Sequence, residues 1–131
     1  MVSYLDLDRK VWKIGNLEIP VIEDVPMKET KWFNKALTEK QRIIDEAEKD
    51  ETKEGLSDAD IAAFEQEWFS KVANLAFGKT VEDIEESGIT LPQFREVMAE
   101  AFLFLTVHGS IEKAKQSDMY LQKTQDKEKK Q

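Results

Sequence analysis

A chain of 131 residues with a net charge of −8 and 35% charged residues has length for one domain, and its acidity repels a phosphate backbone and argues against non-specific nucleic-acid binding. It contains no cysteine, which excludes disulfides, thiol catalysis and zinc–thiolate sites. Its first residues, MVSYLDLDRK, lack the basic-then-apolar pattern of a signal peptide, and the longest apolar run, about Ala101 to Val107, is far short of the roughly 20 residues of a membrane span; the cytoplasm is the expected compartment.

The opening segment reads as strand. Val11–Ile14 and Leu17–Val21 flank Gly15-Asn16, a pair suited to the positive φ angles of a two-residue hairpin turn. Trp12 and Ile14 would share one face, as would Leu17, Ile19 and Val21. Pro20 lacks a ladder donor, which places it on an edge or at a strand end. Tyr4-Leu5-Asp6-Leu7 is a candidate further strand. A lone hairpin is marginal in water, so this one must pack on helices or on a partner.

From Met27 the period changes. Trp32, Phe33, Ala36, Leu37, Lys40, Ile43, Ile44 and Ala47 recur at three- and four-residue steps and predict a helix over about residues 28–49. Lys40 interrupts that stripe, but its stem can pack while the ammonium reaches water. Residues 50–55 hold no apolar side chain and read as a connection. Ser57 and Asp60 form a capping-box pattern for a second helix with the stripe Ile61, Phe64, Trp68, Val72, Leu75 and Ala76, closed by Gly78. Thr80 with Asp83 starts a short helix, Val81 to Ser87. Thr90 with Gln93, and Pro92 in the first turn, start another, whose stripe is Leu91, Phe94, Met98, Ala101, Phe102 and Leu105. Gly109 stops it, and Ser110 caps a last helix through Ala114 toward Tyr120. The expected fold is mainly α, with four to five helices and a short N-terminal β-hairpin. Residues 1–121 form its single domain, and residues 122–131 a frayed or disordered tail.

Signs of chemistry are missing. His108 is the lone histidine and sits one residue before Gly109, where a helix C-terminus favours an imidazolium. Neither a nucleophile nor a second imidazole accompanies it. Glu82, Asp83, Glu85 and Glu86 complement a helix N-terminus as solvated acids. Asp50-x-Thr52-x-Glu54-Gly55 opens like a calcium loop, but Ser57 and Ile61 occupy the places of its apolar residue and bidentate glutamate. No phosphate-binding or nucleophile-elbow motif is present. The sequence therefore offers no candidate catalytic, cofactor-binding or metal-binding residue.

Aromatic residues are the more suggestive feature. Trp12, Trp32, Phe33, Phe64, Trp68, Phe69, Phe77, Phe94, Phe102 and Phe104 build either a core that wraps several helices or an exposed groove for an apolar helix or for self-assembly as a homo-oligomer.

Three stretches carry a family resemblance: Trp12 through Pro20 as an opening hairpin, Glu23-Asp24-Val25-Pro26 as an entry to the first helix, and Thr80–Glu86 followed by Leu91 through Gly109 as a short and then a long apolar helix. Together they resemble tail assembly chaperones of long-tailed phages and prophages of Gram-positive bacteria. The charged segment from Lys40 to Glu54 has no assigned counterpart. The resemblance implies a non-enzymatic protein of the host-cell cytoplasm that binds the tape measure protein and keeps its long apolar helices soluble until the tail tube assembles. It further implies a longer, frameshifted form in many phages. Lys127-Glu128-Lys129-Lys130 is compatible with slippery codons, and equally with a plain lysine tail. The competing expectation is an acidic regulatory protein that mimics DNA at a nucleic-acid-binding partner, although −8 is modest for a mimic and lysines are interleaved throughout. A small enzyme with a carboxylate-only site is the third.

Overall fold

Gly15 and Asn16 turn the chain back on itself, and the strands on either side follow from that turn. The computed structural model describes residues 3–117. Strands β1 (Leu5–Asp6), β2 (Val11–Ile14) and β3 (Leu17–Pro20) form an antiparallel sheet in the order β1-β2-β3. The hairpin expected from the sequence thus gains a third strand from the Tyr4–Leu7 stretch. Trp12 pairs with Leu5 on one side and Ile19 on the other. Alternation along the pleat buries Leu5, Trp12, Ile14 and Ile19 on one face, while Lys13 and Glu18 stay exposed. Pro20 ends the edge strand β3, and Val21 beyond it donates its N–H to the Lys10 carbonyl at 3.0 Å.

Five α-helices follow: α1 (Met27–Lys49), α2 (Asp58–Phe77), α3 (Val81–Glu85), α4 (Leu91–Leu103) and α5 (Ile111–Lys115). Their starts are set by side chains. Ser57 with Asp60, Thr80 with Asp83 and Thr90 with Gln93 form complete capping boxes, each satisfying two otherwise orphaned N–H groups. Gly78 ends α2 in the left-handed conformation, at φ 63°. Helix α3 stops two residues short of the expected Ser87. There the chain turns inward, and the Ser87 carbonyl accepts from the Asn16 N–H at 3.0 Å. The end of α4 widens into a π-helical turn, Phe104–His108, closed by the Gly109 N–H donating to the Phe104 carbonyl at 2.7 Å. The expected run of α5 toward Tyr120, and the tail at 122–131, lie outside the described residues.

The core forms where the sheet meets the ends of α2 and α4. Trp12 is fully buried and meets Phe77 and Phe104 edge to face, with ring centroids at 5.2 and 5.7 Å. Its indole N–H has no acceptor there, a cost of about 1–3 kcal/mol. Burying so large a ring contributes roughly 4–6 kcal/mol, so the position is net stabilising. Among the described residues, no helix is long and apolar enough to cross a membrane.

Candidate functional site

Helices α1 and α2 fold into an antiparallel hairpin whose contacts run in opposite chain order. Near its root, Lys71 of α2 forms an ion pair with Glu29 of α1 at 2.9 Å, and the lysine's hydrogen bond, helped by its charge, holds the Glu29 carboxyl below its ordinary pKa. One turn farther out the Phe33 and Trp68 rings meet at 4.7 Å. Beyond them the Lys40 ammonium lies 5.2 Å above the Phe64 ring, so this lysine packs its stem and still reaches water. Phe102 of α4 touches both Phe33 and Trp68, at 5.3 and 5.0 Å. That small aromatic layer is the main joint between α1 and the rest of the molecule.

Outward from this layer the hairpin is uncovered. Phe33 is the single buried residue of the 23 in α1, although its apolar stripe continues for four more turns. Leu37 and Ile44 are 48% and 37% exposed, and Ile61 on α2 is 49% exposed. Four- and seven-residue steps place Phe33, Leu37 and Ile44 on one line of α1, while Ile61, Phe64, Trp68 and Val72 share a line of α2. The core therefore runs out into solvent as an aliphatic seam. No described ring is fully exposed: Trp12, Phe33, Phe77, Phe94 and Phe104 are buried, and Trp32, Phe64, Trp68, Phe69 and Phe102 are half-buried. Rings thus form the root of the surface, and aliphatic side chains form its open part.

Surface charges hold the outer turns of α1 in shape. Arg42 bonds both Glu39 and Glu46, and Lys53 reaches Glu46 from the connection. Arg42 beside them keeps both carboxyls below their usual range. Exposed pairs of this kind add little to global stability, but at these spacings they favour helix over frayed chain. An open cleft of about 880 Å³ follows another side of α2, between Trp32, Ala63, Glu67 and Val81. Two lysines line it, Lys71 and Lys79, and Lys71 is already tied to Glu29.

Elsewhere the acids serve structure. Asp83 caps α3, and its backbone bond to Thr80 lowers its pKa. Asp50 accepts from the N–H and hydroxyl of Thr52. No group of three or more potential ligands among the described residues could hold a metal ion. A buried polar cluster is the feature the sequence reading missed. Glu100 is 2% exposed and accepts from the Ser3 hydroxyl and the Tyr4 N–H, both at 2.7 Å. One turn earlier Glu96 accepts from the Tyr4 hydroxyl at 2.9 Å. These bonds fasten the N-terminal segment to α4. Glu100 is the one charged residue between Val97 and Val107, and that isolation within an apolar run was the available signal.

His108 differs from its expected role as a charged helix end. It is buried in the π-helical turn. Burial lowers its pKa, and the negative charge of Glu100 offsets only part of that effect. A histidine whose folded pKa lies below its unfolded value stabilises the fold above the unfolded pKa, and this contribution fades as pH falls through the folded value. Wild-type protein is thus expected to lose stability as pH falls below about 6.5, and His108→Gln to lose less. Urea midpoints at pH 7.5 and 5.5 test this; equal pH losses for the two proteins would reject it.

Comparison of the chain with protein-family models, with curated proteins and with solved structures found no match.

Proposed function

We propose that this chain is a non-enzymatic chaperone that keeps an apolar helical partner soluble. That is the role implied by its resemblance to phage tail assembly chaperones, with the tape measure protein as client and the host cytoplasm as the place of action. One observation carries the reading: the aliphatic seam of the α1–α2 hairpin, with Leu37, Ile44 and Ile61 in solvent above a floor of half-buried rings. A client helix laid along it would bury the exposed halves of these side chains, a gross gain of roughly 1 kcal/mol each. Binding of that strength is reversible, which suits a protein that must release its client to assembly. The acidic remainder of the surface keeps the complex dispersed.

Co-expression tests the proposal. A fragment of a phage tape measure protein is expected in the soluble fraction with the wild-type chain, and in the pellet with Leu37→Asp combined with Ile61→Asp. Both positions are open to water, so the double variant is expected to keep wild-type helicity by circular dichroism. A client equally soluble with and without the chain ends the proposal. The DNA-mimic alternative predicts a steep loss of partner binding as salt rises. Three of the five acids of α1, Glu29, Glu39 and Glu46, are already bonded to cations of the same chain, which weakens that alternative.

A further inference from the structure

The seam has a border as well as a floor, and the border is acidic. One helical turn from Ile44 lies Glu48; one turn on either side of Ile61 lie Asp58 and Glu65. All three are exposed. None takes part in the ion pairs of the described residues, which engage other acids. Of the positions three or four residues from Leu37, Ile44 or Ile61, which share their helix face, Lys40 is the one cation, and it already sits over the Phe64 ring. We infer that the seam takes an amphipathic helix of a partner protein whose apolar stripe is flanked by lysine or arginine. Leu37, Ile44 and Ile61 meet the stripe, and Glu48, Asp58 and Glu65 meet the flanking cations.

This inference rests on the chaperone reading and adds the chemistry of the client. Three unpaired acids beside an apolar strip cost nothing in water, yet each becomes a liability if a neutral or acidic helix covers the strip and dehydrates them. A cationic border on the incoming helix removes that penalty and adds attraction at the rim. The same reasoning disfavours a second copy of the chain. A twofold contact sets a patch against itself, which would bring acid to acid between molecules each of net charge −8.

Designed peptides of about 18 residues, some 27 Å as helices, provide the test against the full chain by calorimetry. One carries a leucine stripe with lysine flanks, one the same stripe with glutamate flanks, and one the lysine composition with its stripe scrambled. The lysine-flanked helix is expected to bind about tenfold more tightly than the glutamate-flanked one, from three rim pairs. The scrambled peptide is expected not to bind. Glu48→Lys with Glu65→Lys is expected to invert the order, with helicity unchanged by circular dichroism. Equal affinity for the two flanked peptides overturns the inference, as does equal binding of the scrambled one. So does a dimer in sedimentation that Leu37→Asp disperses, since the occupant would then be a second copy. If indifferent peptides accompany a solubilised client, this inference falls and the chaperone reading stands. If the peptides are discriminated while the client precipitates, the inference stands and the chaperone reading falls.

Discussion

Gly15→Ala is expected to lower the free energy of unfolding by about 3 kcal/mol or more, the largest effect of any glycine-to-alanine change in this chain. Two costs combine. Residue 15 sits at φ +56°, a left-handed conformation that penalises a side chain by roughly 1–2 kcal/mol. A Cβ there would also lie 2.1 Å from the Ser87 carbonyl oxygen, far inside contact distance, and that atom is backbone that cannot simply rotate away. Relieving the clash means lifting the hairpin turn from the loop after α3, which breaks the Asn16–Ser87 hydrogen bond as well, about 1 kcal/mol. Gly88→Ala supplies the internal control. It too has positive φ, at +92°, but nothing lies within 4 Å of its added Cβ, so only the conformational cost applies. Urea denaturation of the two variants separates strain from contact. A Gly15→Ala loss no larger than that of Gly88→Ala would sink the idea that the turn is held against α3.

The second large effect is expected to be local. Phe33→Ala removes the buried anchor of α1 and is expected to cost about 3–5 kcal/mol of packing, as for other buried rings. That loss falls on one element, because α1 touches the rest of the molecule mainly through the layer of Phe33, Trp68 and Phe102. A 23-residue helix without tertiary support is only marginally stable in water. The variant is therefore expected to open α1 as a unit while the sheet, α4 and the Trp12 core stay closed. Hydrogen exchange read by mass spectrometry resolves this: fast exchange across residues 27–49 with slow exchange kept in β2 and α4. Retained protection in α1, or uniform loss everywhere, would contradict it.

The element starts were legible in the sequence because each is fixed by a few adjacent residues. Ser57, Thr80 and Thr90 cap as their spacing to Asp60, Asp83 and Gln93 requires, and Gly15-Asn16 turns the hairpin. Local chemistry suffices for such features. The cover over α1 was not legible, for a physical reason. Periodicity tells which side of a helix is apolar, but not whether another element reaches that side. Leu37 and Ile44 obey the same spacing as Phe33, yet α4 supplies a ring under Phe33 alone. His108 shows the converse. Its position at a helix end was read correctly, but the charge state there depends on burial within the π-helical turn and on Glu100, eight residues away in sequence and joined to it only through the fold.

The three tryptophans divide the molecule optically. Trp12, sealed from water and without an acceptor for its N–H, emits from an apolar surrounding that a dissolved quencher does not reach. Trp32 and Trp68 stand half in water at the root of the seam. Light taken from the red side of the emission band thus follows the hairpin, and light from the blue side follows the core, so docking and unfolding can be watched separately in unlabelled protein.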